Sequence, residues 1–197
     1  MKGRRKYEMR DRARAYDVTR RRIIEATFEM HGVKGVAATT FSDVAARAGV
    51  APATVTRHFP AMGDLVRACG GHVWEWLAVP DPDAAFDGVD GRADRVRRLV
   101  QEVSGVYARG EAPLAGARRD RGAVPELDAF LGRLDAELDR LVRLALAPLH
   151  PRERHVRLAL ALLDFGVWES LRRRGLDAPA EMEALLGTVL GEDGRDE

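Results

Sequence analysis

A chain of 197 residues with 46% hydrophobic and 32% charged residues has the composition of a globular protein, with room for one large core or for a small module joined to a larger one. No run approaches the roughly 18 apolar residues of a membrane span, and no apolar stretch follows the basic N-terminus as in a secretory signal, so a cytoplasmic protein is expected. The single cysteine, Cys69, excludes an internal disulfide and a cysteine-built metal cluster, and the net charge of +1 hides an asymmetry: residues 1–60 hold 13 Lys+Arg against 6 Asp+Glu, the rest 19 against 25.

Taken in chain order, residues 1–16, MKGRRKYEMRDRARAY, are charged without apolar periodicity and predict a disordered basic arm, either a solvated tail or a phosphate-contacting one. From Asp17 to Lys34 the positions Ile23, Ile24, Thr27, Phe28 and His31 recur at helical spacing, and Gly35 is the stop. In TTFSDVAARAG, Thr40 with Asp43 three residues on reads as a capping box, which starts a second helix over Phe41 to Ala48. Gly49 supplies a sharp turn, Val50 plugs the angle, and Pro52 suits the first turn of a third helix that runs to Phe59 and stops at Pro60. A fourth helix starts at about Asp64, and the Gly70–Gly71 pair predicts a bend in it.

After the loop PDPDAAFDGVDG the pattern is helical throughout. Val96, Leu99, Val100, Val103 and Tyr107 form one stripe, and RGEAPLAG predicts a break. Leu127, Phe130, Leu131, Leu134, Leu138, Leu141 and Ala145 form the next, which Pro148 and Pro151 end. One long helix is expected from Arg152 to Arg174, apolar on two sides, and a last one from the N-cap Asp177. The fold class is therefore all-α, divided into the arm at 1–16, a DNA-binding domain at 17–63 and a larger helical bundle at 64–197.

Two short helices joined by a glycine turn, with small Ala45 and Ala48 at the crossing, form a helix-turn-helix whose second helix can enter the DNA major groove. Val55 and Phe59 lie four apart and face inward, which leaves Ala53, Thr54, Thr56, Arg57 and His58 outward. Short side chains let the backbone approach the groove, Arg57 can read guanine through two parallel hydrogen bonds, and Ala53 or a threonine methyl can touch thymine. Thr40, at the start of the second helix, can offer its hydroxyl and neighbouring amides to a phosphate, and the candidate DNA-binding set is Thr39, Thr40, Ser42, Pro52, Ala53, Thr54, Thr56, Arg57 and His58.

The run IIEATFEMHGVKGVAATTFSDVAARAGVAPATVTRHFPAMGDLV, Ile23 to Val66, resembles the N-terminal domain of the TetR family of transcriptional regulators (TetR/AcrR type), and FGVWESLRRRGL resembles that family's penultimate helix. The resemblance implies a homodimer that binds a palindromic double-stranded DNA operator and is released by a small-molecule inducer, the inducer itself being unknown. Repression in place of activation is implied by the resemblance alone. The chain departs from the pattern at Thr56, where a phosphate-contacting tyrosine is usual, at Met62 and Gly63, at Ala51 in place of a capping serine or threonine, and at His31 in place of a core phenylalanine. Weaker or more salt-sensitive DNA binding is expected from these departures, with the basic arm as a compensating element.

Two apolar sides on the last long helices point to a four-helix interface between subunits, built from Val156, Leu160, Leu163, Gly166, Val167, Ser170, Met182, Leu186 and Val189. Trp74, Tyr107, Phe130, Phe165 and Trp168 are candidates for a ligand pocket, against the plainer reading that they are core. Cys69 reads as a small buried hydrophobe or a redox sensor, and His72, His150 and His155 lack metal-ligand spacing. With no glycine-rich phosphate loop, no nucleophilic triad and no H-E-x-x-H pair, neither enzyme activity nor a metal or other cofactor is expected; Asp164 and Glu169 are read as buried structural carboxylates. The rival reading is a dimeric helical interaction protein whose DNA binding is weakened or lost.

Overall fold

The structure, a computed structural model, describes the backbone of residues 2–191 and the side chains of residues 9–191. Among the described residues there are nine α-helices and no strand: α1 (Lys2–Lys34), α2 (Phe41–Ala48), α3 (Pro52–His58), α4 (Met62–Leu77), α5 (Arg92–Asp120), α6 (Pro125–Leu146), α7 (Glu153–Leu162), α8 (Phe165–Arg173) and α9 (Ala178–Gly191). The chain divides into two compact units, one of residues 1–75 with 112–131, the other of 76–111 with 132–197. The expected division at 63/64 therefore moves: the first unit keeps most of α4 and recruits the end of α5 and the start of α6.

In the first unit α2 packs on both α1 and α3. Ile23, Ala26, Val44, Ala45, Ala48, Val55, Phe59 and Leu65 form its core, with Phe41, Val50, Met62 and Ala68 closing the edge. Ala45 and Ala48 are small enough for the helices to cross closely, which the spacing required. Helix α1 corrects the expectation of a disordered arm at 1–16, since it starts at Lys2. Its added turns are rich in Arg, Lys, Glu, Met and Ala, strong helix formers, and the helix is already anchored by buried Ile23, Ile24, Ala26 and Thr27, so the costly nucleation step is met.

Helix α4 runs unbroken through Gly70 and Gly71. A Cβ at Gly70 would stand 3.3 Å from the Phe130 ring, so this glycine makes room for an aromatic neighbour. Helix α5 likewise runs through Pro113 where a break was expected. The proline forfeits one helical hydrogen bond, but Leu114 and Ala117 beyond it are buried, and their packing outweighs the local preference.

In the second unit α9 packs on α7 and α8. Here the single helix expected over 152–174 is two. Asp164 takes an extended conformation and accepts from the Gly166 amide at 2.7 Å, an N-cap that starts α8. The Leu163 carbonyl beside the break receives the Tyr107 hydroxyl at 2.8 Å, so the break leaves that carbonyl satisfied. Asp164 is consequently exposed, contrary to its reading as a buried carboxylate. Arg95, 9% exposed, donates to the carbonyls of Ala145 at 2.8 Å and Leu144 at 2.7 Å, which closes the C-terminal end of α6. The Asp177 carboxylate accepts from the Ala180 amide at 3.2 Å, the N-cap expected for α9.

Met182 has no exposed surface. Met182→Ala is expected to lower unfolding stability in urea by about 2–5 kcal/mol, the range for emptying a core methionine site. A loss near zero would place this side chain outside the core.

Candidate nucleic-acid interface

The entry to α2 is held from three directions. The Asp43 amide donates to Thr40 Oγ1 at 3.2 Å, and the Thr40 amide donates to Asp43 Oδ2 at 2.9 Å, a complete capping box. Lys34 Nζ approaches the same carboxylate at 2.8 Å. Hydrogen bonds from Lys34 and Thr40 hold the Asp43 pKa down at about 2, so it is charged throughout the physiological range. Ahead of the helix, the amides of Val36 and Ala37 donate to Asp120 Oδ2 at 2.7 and 3.2 Å. Burial works against the Asp120 charge, but these amides and Arg119 outweigh it and keep its pKa below the usual range. Thr39, expected to face DNA, is buried and donates to the Gly35 carbonyl at 2.7 Å; it is a brace of the loop.

The turn itself follows from Gly49, whose φ of 64° and ψ of 41° are left-handed. The Val50 amide reaches the Ala45 carbonyl at 3.0 Å and the Gly49 amide the Ala46 carbonyl at 3.3 Å, the paired bonds of a Schellman motif. Helix α3 then starts at Pro52 with no side-chain cap from Ala51, as its sequence implied. Val55 and Phe59 are buried, which leaves Pro52, Ala53, Thr56 and Arg57 exposed and Thr54 half-exposed. Thr40 and Ser42 are exposed beside them at the start of α2. Arg57 has no ion pair among the described residues. Thr56 Oγ1 lies 3.2 Å from the Ala53 carbonyl, within its own helix.

His58 is the correction in this set. It is 8% exposed, because the Tyr16 ring of α1 covers it with centroids 4.1 Å apart. Burial, then Arg57 and Arg20, lower its pKa and keep the ring neutral. One turn on, the Arg20 guanidinium lies 4.9 Å from the Phe59 ring centroid, and Arg47 pairs with Glu29. Both departures from the sequence expectation have one cause: Tyr16, within the expected arm, is helical and covers His58. The spacing of Tyr16 seven residues before Ile23 was the available signal.

Distant residues that sequence spacing could not bring to the module are Asp120 and Glu126. Arg67 Nη1 donates to Glu126 Oε1 at 3.0 Å and pairs with Asp64 at 2.6 Å. The Glu126 carboxylate lies directly against Gly63, where a Cβ would displace it. Beneath, Cys69 Sγ lies 3.7 Å from His31 Nδ1. Burial pushes the Cys69 thiol up to about 12 and the His31 imidazole down to about 4. A thiol so buried is the small hydrophobe of the plainer reading and is unsuited to redox sensing.

The candidate pocket residues fall into separate groups. Trp74 and Phe130 meet edge-on at 6.2 Å in the first unit. In the second, Tyr107, Phe165 and Trp168 pack on one another at 5.3 to 5.8 Å and are 2% exposed or less, so they are core. A groove of about 360 Å³ in the first unit is lined by Asp17, Arg20, Arg21, Ile24, Ala68, Gly71, His72 and Glu75, none of them foreseen. Of the candidate interface residues, Val156, Leu163, Met182 and Leu186 are buried by their own chain. Leu160, Val167, Ser170 and Val189 are half-exposed and Gly166 exposed, joined by exposed Leu176 and Leu185. Among the described residues no three His, Cys, Asp or Glu side chains are grouped to hold a metal ion, and no helix is long and apolar enough to cross a membrane.

The described residues are all helical and display a buttressed helix-turn-helix, a motif whose second helix can enter the DNA major groove. Residues 23–69 match the family model of bacterial regulatory proteins, tetR family. Among solved structures, a transcriptional regulator of Rhodococcus sp. Rha1 is 21% identical with a TM-score of 0.63, over 88% of this chain and 94% of that one. The regulator SCO7518 of Streptomyces coelicolor A3(2) is 22% identical with a TM-score of 0.61, over 87% of this chain and 98% of that one. The multidrug binding protein EbrR, complexed with proflavin, is 22% identical with a TM-score of 0.60, over 87% of this chain and 99% of that one. These likenesses show the fold. No curated protein matches the chain.

The half-buried His31 imidazole gives the module a pH signature. Because the folded His31 pKa of about 4 lies below the ordinary imidazole value of 6.5, its contribution is fully present above 6.5, falls as pH drops between the two values and levels off below about 4. His31→Phe is expected to flatten the decline of urea stability between pH 7 and 5. An equally steep decline in this variant would assign the acid sensitivity to other groups.

Proposed function

We propose that the protein is a ligand-responsive transcriptional regulator that binds a palindromic DNA site as a homodimer, and that it acts as a repressor released by a small molecule. The observation that carries the DNA-binding reading is the outward face of α3: Arg57, exposed and without an ion-pair partner among the described residues, flanked by exposed Ala53 and Thr56 on a backbone free to approach the groove. Thr40 and Ser42 at the start of α2 are the phosphate-positioning groups in this reading, and Pro52, which has no donor, lines the same exposed surface. His58 and Thr39 leave the contact set and become supports. Dimerisation is assigned to the face of α7–α9 that carries Leu160, Gly166, Val167, Ser170, Leu185 and Val189, whose apolar surface is unsatisfied within the chain. Ligand response rests on the shared fold, in which EbrR holds proflavin. A non-DNA-binding interaction protein is the second reading, favoured by the uncapped Ala51 and by the Thr56 hydroxyl turned back on its own helix.

Selection of genomic fragments by the purified protein separates the two. Enrichment of a palindrome is expected, and Arg57→Ala is expected to cost about 1–3 kcal/mol of discrimination at the guanine it reads. Enrichment of nothing at low salt would favour the interaction protein. Leu160→Glu and Leu185→Glu are each expected to shift the protein from dimer to monomer in sedimentation equilibrium; an unchanged mass would move the interface elsewhere.

A further inference from the structure

The helix-turn-helix is short of free positive charge. Lys34 is tied to Asp43 and Arg47 to Glu29, which leaves Arg57 as the cation of residues 34–60 without an ion pair among the described residues. A protein that holds duplex DNA must neutralise several phosphates, so further donors have to stand beside α3. Helix α1 provides a place for them. Tyr16 precedes the fully buried Ile23 by seven residues and Thr27 by eleven, which sets it on the stripe of α1 turned toward the module. Its ring lies on His58 at 4.1 Å, at the last turn of α3, yet it keeps 45% of its surface exposed. Arg12, four residues earlier and exposed, falls on the same stripe and has no ion pair among the described residues.

We propose that Tyr16 and Arg12 form a second contact of α1 with the DNA backbone, adjoining the recognition helix, and that His58 is the positioning residue that holds the Tyr16 ring there. The proposal rests on the DNA-binding reading. Duplex DNA is the occupant because the stripe is basic, lies within the basic third of the chain and is continuous with the outward face of α3 through the Tyr16–His58 contact. The Tyr16 hydroxyl donates to one phosphate oxygen and the Arg12 guanidinium to another. Such contacts carry no sequence information; they set affinity, register and salt dependence.

The test is fluorescence anisotropy of the full-length protein on a labelled mixed-sequence duplex of about 30 base pairs, from about 50 to 300 mM salt. Arg12→Gln is expected to make the slope of log K against log salt shallower by close to one. Tyr16→Phe, which keeps the ring on His58 and removes only the hydroxyl, is expected to weaken binding about tenfold. His58→Ala is expected to reproduce that weakening with Tyr16 intact, and His58→Phe, which restores a ring beneath it, to recover the affinity; thermal melts by circular dichroism check that each variant folds. Unchanged slope for Arg12→Gln together with unchanged affinity for Tyr16→Phe, in a parent that binds DNA, would overturn this contact and leave the regulator reading standing. A parent that binds neither this duplex nor genomic fragments at low salt would overturn both.

Discussion

A helix of seven residues cannot hold itself in water, and α3 lacks even a capping side chain at Ala51. Its existence depends on the burial of Val55 and Phe59 against Ile23, Val44, Ala45 and Leu65. Much of the first unit can be read as support for that one docking. Gly49 sets the angle, the Thr40–Asp43 box fixes where α2 begins, and Asp120 holds the amides of the preceding loop. Because the inward face is committed to the core, the outward face is free to be small and polar with one long donor. A surface so composed contributes little to stability and is available for recognition.

The supporting polar groups work by satisfying backbone that the fold leaves exposed to loss. Asp120 takes two loop amides, Arg95 closes the end of α6, Tyr107 accommodates the break before α8 and Arg109 donates to the Leu77 carbonyl at the end of α4 at 2.7 Å. Each joins residues far apart in the chain, and each removes a penalty of the kind that an unpaired buried carbonyl or amide would impose. The helix breaks and continuations therefore follow hydrogen-bond satisfaction as much as local propensity. Pro113 stays inside a helix, whereas the run from Val156 to Leu171, with no proline, is divided.

The position of α1 links the corrections at the interface. A helix that began at Asp17 would leave His58 without the Tyr16 ring that covers it. With the helix extended, Tyr16 covers it, the lowered pKa favours the neutral imidazole, and the open surface of α3 narrows to exposed Pro52, Ala53, Thr56 and Arg57 with half-exposed Thr54. In the second unit, burial within the chain removes Met182 and Leu186 from the surface that a second copy could meet.

The sequence by itself determined the all-helical class, the limits of α2 and α3 to within a residue, the capping box, the left-handed glycine and the inward pair Val55 and Phe59. These rest on periodicity and on side-chain chemistry that acts within four residues, and both are written in neighbouring letters. Tertiary structure decided what depends on partners distant in sequence: that Thr39 and His58 are supports, that Asp120 and Glu126 serve the DNA-binding module, that Tyr107, Phe165 and Trp168 are core, and where the long helices break. A residue's burial depends on what else fills the space around it, and no local pattern around His58 contains the ring that covers it.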